Sequence, residues 1–290
     1  MIRATCHGPR VMRTSSQDVR TRDGRVLRVH DADPGAGRAA LTIVWHHGSP
    51  QTGAPLDPLL EAAAARGIRL VSYGRPSYGG SSPQAGRDVA SAAGDVARIA
   101  DELGVERFAT MGASGGGPHA LACGALLGER VTGVACLAGL APYTEDFDWF
   151  AGMAAPGGLR AALGGRDERA RFAETDEFDE ASFIAADWDA LRGAWASLGV
   201  DAGRADAAGP DGLIDDDVAF VAPWGFDVAQ VAAPALLVHG GEDRVVPLAH
   251  AEWLLRRCPR AELWLRPRDG HVSVLDGCAV AMDWLLAQTP

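Results

Sequence analysis

Lysine is absent from this chain of 290 residues, so all 27 of its basic side chains are arginine. That excludes Schiff-base chemistry and a phosphate-cradling loop built on lysine. The cysteines show no C-x-x-C spacing, and no zinc-ligand pattern occurs. Cys6, Cys123, Cys136, Cys258 and Cys278 are scattered and odd in number. Cys123 and Cys136 sit in apolar runs and read as reduced, buried thiols, which fits a cytoplasmic protein. No uninterrupted apolar stretch reaches about 18 residues, so no membrane-spanning helix is expected. Positive charge is scarce against negative, with a formal net charge of −11. This disfavours nucleic acid or an anionic membrane as a partner, since both require clustered positive charge. The first 17 residues are polar, contain Arg3, Arg10 and Arg13, and lack the apolar centre of a secretory signal. They read as a flexible tail, with Met12 as an alternative start.

The chain is long enough to bury a full core, and its 47% apolar content is ordinary for a globular domain. No internal repeat or low-complexity tract interrupts it. From residue 18 to 141, strand and helix patterns alternate. Val19–Thr21 and Val26–His30 flank Asp23-Gly24, a hairpin signal. Leu41–His46 is a continuous apolar run, as expected of a strand buried on both faces. Helices are expected over Pro58–Arg66 and Asp88–Leu103, with strands at Ile68–Ser72 and Val131–Leu137. The rhythm breaks over 142–226, which reads as a helical cap. This stretch holds 18 Asp or Glu against 6 Arg, and four of the chain's 8 tryptophans: Trp149, Trp188, Trp195 and Trp224. Charges facing outward and aromatics facing inward would let the cap cover an apolar pocket, which makes these four tryptophans candidate substrate-binding residues. The α/β rhythm resumes over 227–290, with strands at Ala235–His239 and Ala261–Leu265 and a closing helix over Val272–Ala287. The expected architecture is α/β, a mostly parallel sheet flanked by helices, with an antiparallel hairpin first and a helical insertion before the last two strands.

Gly112-Ala113-Ser114-Gly115-Gly116 lies between a short strand pattern at Arg107–Met111 and a helix with Pro118 in its first turn. This is a G-x-S-x-G strand–turn–helix, with Ser114 at the apex as a candidate nucleophile. The helix N-terminus places N–H groups and positive dipole beside a developing oxyanion. Serine needs a base, and His271, directly after the last strand pattern, is the candidate. Asp243, in the loop after the penultimate strand, is the candidate acid that orients it, with adjacent Glu242 as the rival. Gly115 and Ser49 are the candidate oxyanion donors through their backbone N–H groups, with the Ser49 hydroxyl as an extra donor. His46 and His47 read as structural supports of that loop.

These motifs together resemble an α/β-hydrolase-fold serine hydrolase with a cap. The resemblance runs over roughly 19–286. It rests on His47–Pro50, on Gly74–Ser81 (G-R-P-S-Y-G-G-S), on Gly112–Gly116, on His239–Pro247 and on Asp269–His271. In the family the Arg75–Gly79 segment is structural and lies near the site. Many relatives carry Asp before that Arg; Gly74 stands there here, which removes a local salt bridge. Ser114 disfavours the haloalkane dehalogenases and epoxide hydrolases, whose nucleophile is Asp. The resemblance implies a cofactor-free and metal-free enzyme acting on a small-molecule substrate. The reading is hydrolysis of a carboxylic ester or related acyl bond of a small, partly apolar substrate. The same triad also serves C–C bond hydrolysis, aminopeptidase, lactonase or perhydrolase chemistry. A different class of reading is a non-catalytic ligand-binding protein on the same scaffold.

Overall fold

The computed structural model describes residues 12–35 and 39–289. Most of the expected tail, with Arg3, Cys6 and Arg10, lies outside the described residues. The rest of that tail is not loose, because residues 13–17 belong to a strand. Strand β1, Arg13–Arg20, pairs antiparallel with β2, Val26–Asp33, across the Asp23-Gly24 turn. Most of β1 is exposed, so the hydrophobic alternation that reveals a strand is missing from it.

The described residues form one eight-stranded sheet. The remaining strands are β3 (Leu41–His46), β4 (Ile68–Tyr73), β5 (Phe108–Ala113), β6 (Val131–Leu137), β7 (Ala235–Gly240) and β8 (Ala261–Arg266). Their order is β1-β2-β4-β3-β5-β6-β7-β8, with β2 antiparallel to β4 and every pair from β4 to β8 parallel. Every residue of β5, β6 and β7 is buried, as a parallel strand covered on both faces requires. Successive β3 side chains divide between the two faces. Val44 joins one apolar cluster with the helix α2 (Ser91–Glu102) and the helix α3 (Gly116–Leu126). Ile43 and Trp45 join the other, with α1 (Asp57–Arg66) and the closing helix α10 (Cys278–Ala287). In α2, Ala92, Val96, Ile99 and Ala100 recur at helical spacing and face the sheet. The closing helix begins later than its apolar run suggests, because Ser273–Gly277 forms a 3-10 turn first.

Between β6 and β7 the chain leaves the sheet. It forms α4 (Gly157–Ala162), α5 (Arg166–Ala173), α6 (Ala185–Arg192), α7 (Ala196–Ala207) and α8 (Asp211–Val221). The helix α9, Ala249–Arg257, then packs against β7 and β8. The parallel strands all end on the edge of the sheet beneath this insertion, which is where open α/β sheets place their sites.

Two buried histidines tie stability to pH. His250 accepts the Ala141 N–H at 3.1 Å and donates to the Trp149 carbonyl at 2.9 Å, a pattern only the neutral ring can make. Burial pulls its pKa down to about 4, and burial followed by the charge of Arg75 pulls that of His46 to about 3. Both lie below the ordinary value of 6.5. Between those values the unfolded chain binds more protons than the folded one, so stability falls as pH drops below 6.5. Each histidine contributes a loss of up to about 2 kcal/mol at pH 5. Urea unfolding should show a lower midpoint at pH 5 than at pH 7; equal midpoints would contradict the burial of neutral imidazoles.

Candidate active site

Ser114 sits between β5 and α3 with φ of 52°, the left-handed region that a side chain seldom adopts. The turn holds because its flanks are glycine. A methyl group on Gly112 would collide with the Gly116 carbonyl, and one on Gly116 would collide with the His46 carbonyl. The Ser114 N–H is fixed by the Leu137 carbonyl at 2.9 Å, and its carbonyl accepts from Gly117. The hydroxyl is thereby presented at the N-terminus of α3.

The loops after β7 and β8 bring Asp243 and His271 to that hydroxyl. Ser114 Oγ lies 2.9 Å from His271 Nε2, and His271 Nδ1 lies 2.8 Å from Asp243 Oδ2. The other oxygen, Oδ1, accepts the N–H groups of Val245 and Val246, both at 2.9 Å. An ionised carboxylate can only accept, so His271 donates through Nδ1 and keeps Nε2 free for the serine proton. Asp243 is buried, whereas neighbouring Glu242 is exposed and contributes its backbone N–H to the Asp269 carbonyl. The geometry therefore separates the two rivals. Burial opposes charge on both members of the pair. Even so, mutual attraction holds the Asp243 carboxyl below the usual range and lifts His271 above it.

Gly115 and Ser49 stand side by side, for a methyl group on Gly115 would collide with Ser49 Oγ. The Ser49 hydroxyl, expected as an extra oxyanion donor, is engaged elsewhere. It donates to Asp216 of α8 and accepts from Arg75 Nη2 at 3.0 Å. His47 accepts the Arg75 N–H at Nε2 and donates from Nδ1 to the Gly48 carbonyl at 2.7 Å. His46 is fully buried and stacks on His119. Both support the loop, in keeping with the structural reading of their positions.

The missing salt bridge before Arg75 is replaced from the cap. Gly74 leaves no room for any side chain, since a methyl group there would lie 2.5 Å from the Tyr78 carbonyl. Asp216, wholly buried, instead meets Arg75 Nη2 at 2.7 Å, Arg87 Nη2 at 2.7 Å and Tyr78 Oη at 2.9 Å. Burial resists its charge, but the two guanidinium groups hold its carboxyl well below the ordinary range. The cap's acidic residues were expected to face outward. Four of them, Asp187, Asp201, Asp216 and Asp217, are buried, and the first three face the core. Asp201 of α7 accepts Thr52 N–H at 3.0 Å, just beyond the Ser49 loop.

Each of the four cap-region tryptophans has packing or hydrogen-bond partners within the protein. Trp149 donates to the Ala141 carbonyl at 3.0 Å and lies edge-on to His250. Trp195 donates to Asp276 at 2.8 Å, and Trp224 to the Phe220 carbonyl at 3.0 Å. Trp188 is half-buried beside Phe183 and Phe178. The aromatic that does reach the nucleophile turn is Phe220 of α8, whose Cζ would lie 2.9 Å from a methyl group on Gly115. Its neighbours conceal it in the sequence, where Ala219, Phe220 and Val221 form a short apolar run that reads as helix core.

A signal for the buried acids did exist. Asp215, Asp216 and Asp217 are consecutive on one helix, and successive helical side chains diverge by about 100°. They therefore reach different partners: Asp215 meets Arg166, Asp216 the Arg75 cluster, and Asp217 Arg169.

A family model described as alpha/beta hydrolase fold matches residues 42–277. The chain belongs to that family. It is similar to a Synechocystis sp. protein provisionally named non-heme chloroperoxidase, at 24% identity over 89% of this chain and 90% of that one. Among solved structures it resembles a thermophilic esterase from Thermogutta terrifontis, with a TM-score of 0.68 and 18% identity over 95% of this chain and 100% of that one. It also resembles an enol-lactonase from Burkholderia xenovorans, with a TM-score of 0.68 and 19% identity over 93% and 100% of the two chains. An α/β-hydrolase-type enzyme is the common ground.

The Asp216 cluster gives a stability test. Asp216→Asn removes the negative charge between two buried guanidinium groups and should cost about 3–5 kcal/mol in urea unfolding. A variant as stable as wild type would show that the cluster does not hold the cap.

Proposed function

We propose that the protein is a serine hydrolase that cleaves a carboxylic ester, or a related acyl bond, of a small and partly apolar substrate. The single observation that carries this reading is the unbroken chain from Ser114 Oγ through His271 to Asp243, at 2.9 and 2.8 Å. These distances are within the reach that proton transfer requires.

In this reading the Ser114 oxygen attacks the acyl carbonyl as His271 Nε2 takes the hydroxyl proton. The carbonyl oxygen becomes the oxyanion, held by the Gly115 and Ser49 N–H groups and by the positive end of α3. Asp243 stabilises the imidazolium and remains ionised. The imidazolium then protonates the leaving oxygen as its bond to carbon breaks, which leaves an acyl group on Ser114. A water gives its proton to His271 and attacks the acyl carbon. The acid departs, and the proton returns to Ser114 Oγ. Phe220 beside Gly115 supplies apolar surface near the acyl carbon and supports a partly apolar substrate. No metal or redox group enters any step.

The Synechocystis relative favours one second reading on the same residues. Hydrogen peroxide would replace water as the acyl acceptor and release a peracid. Partitioning of a p-nitrophenyl acetate acyl-enzyme between water and added peroxide distinguishes the two acceptors.

The expected outcome for the nucleophile is direct. A fluorophosphonate probe should label wild-type protein once per chain, and Ser114→Ala should abolish labelling and lower kcat on p-nitrophenyl esters by about 10⁴-fold or more. Turnover surviving in that variant would reject the serine mechanism. Asp243→Asn should cost about 10²- to 10⁴-fold, whereas Glu242→Gln should cost less than about tenfold. A reversed ranking would reassign the acid.

A further inference from the structure

The backbone amides of His271 and its two successors are held by the cap. Asp187, on α6, is fully buried, and both its carboxylate oxygens are occupied. Oδ1 accepts the N–H of Val272 at 2.8 Å, the N–H of Ser273 at 2.8 Å and the Ser273 hydroxyl at 2.9 Å. Oδ2 accepts the His271 N–H at 3.3 Å and the Ile184 N–H at 3.1 Å. The three consecutive amides open the 3-10 turn Ser273–Gly277, and no side chain of that turn's own N-cap residue, Val272, can satisfy them. Asp187 therefore acts as an N-cap delivered from 84 residues away in sequence. The loop is shaped to admit it: a methyl group on Gly270 would collide with Oδ2 and lie 2.7 Å from Cγ. Glycine before the histidine is thus a requirement of the cap's carboxylate.

We propose that Asp187 is a positioning residue for the catalytic histidine, so that a seated cap is a condition for a correctly placed base. The inference rests on the serine-hydrolase reading of Ser114 and His271. Because Asp187 grips His271 and its two successors by their backbone, lifting α6 away frees the loop and misdirects Nε2. The cap is then part of the catalytic framework, not a passive cover. Asp187 also presents negative charge to the imidazole, alongside Asp243. His239, whose Nε2 donates to the Val246 carbonyl and lies 3.8 Å from Asp243 Oδ2, faces Asp243 from β7, and burial pulls its own pKa down. Burial disfavours the imidazolium; Asp243 and then Asp187 favour it.

The test uses the full chain with Asp187→Asn, Asp187→Ala and Asp187→Glu, the control Glu242→Gln, and active sites counted by fluorophosphonate titration. Labelling of wild-type Ser114 first settles the underlying reading independently. The expected result is a kcat per titrated site lower by about 10- to 100-fold in Asp187→Asn, with KM changed by less than about threefold. The acid limb of its kcat/KM profile should move to lower pH, because loss of a negative charge beside His271 makes the imidazole easier to deprotonate. Asp187→Glu should regain part of kcat. A merely structural role predicts fewer titratable sites but an unchanged kcat per site and an unmoved acid limb, and that result overturns the proposal. Should Asp187→Ala fail to fold, the Asn variant decides alone, since it keeps an acceptor for the Val272 and Ser273 amides.

Discussion

The buried charge of Asp216 is the constraint on which the site's arrangement depends. A carboxylate with no exposed surface is costly to ionise unless opposite charge and donors surround it. Its partners come from three separate stretches of the core: Ser49, the Arg75–Tyr78 segment, and Arg87. All three must be in place together, and α8 must sit above them. The same helix then carries Phe220 to the nucleophile turn. One ion cluster thereby sets the cap, the loop after β3 and the wall beside the nucleophile turn. Such a cluster contributes less to net stability than to uniqueness, because any other seating of the cap would leave two buried guanidinium groups without a counter-charge.

Two further buried carboxylates repeat the device on neighbouring helices. Asp201 holds the Thr52 end of the loop after β3, and Asp187 holds the loop of His271. The cap thus touches each side of Ser114 through a side chain that accepts backbone N–H groups. This is a precise form of contact, since N–H groups in turns have no intrinsic partners and take whatever acceptor geometry allows. It also explains why an insertion with few basic residues remains bound to the core. The core supplies the donors, and part of the cap's negative charge is spent inside.

The mostly parallel sheet and the three side chains that meet at Ser114 were legible along the chain. Central parallel strands such as β3 and β6 announce themselves by unbroken apolar runs, because both faces are covered. Ser114 announces itself by the glycines that a left-handed serine turn demands. Strand β1 was read too short because its exposed residues do not alternate. Asp243 is the stronger candidate in the sequence, and the fold separates it from Glu242, since adjacent residues in one loop differ only in which way they point. Aromatic clustering such as that of the cap's tryptophans signals apolar burial. It does not say whether the burial is against substrate or against the protein itself.

Local patterns determined which residues could bear chemistry: a strained turn flanked by glycine, a histidine after a strand, and an acid in the preceding strand's loop. Each of these depends on backbone geometry within a few residues, which composition and spacing encode directly. Only the tertiary structure decided how the cap engages that chemistry. Asp187 and His271 are 84 residues apart, and Asp216 and Arg75 are 141 apart. Nothing local distinguishes an aspartate that faces water from one that accepts a distant amide. The difference lies in the desolvation and partners that folding supplies, and these exist only once the helices of the cap are seated on the sheet.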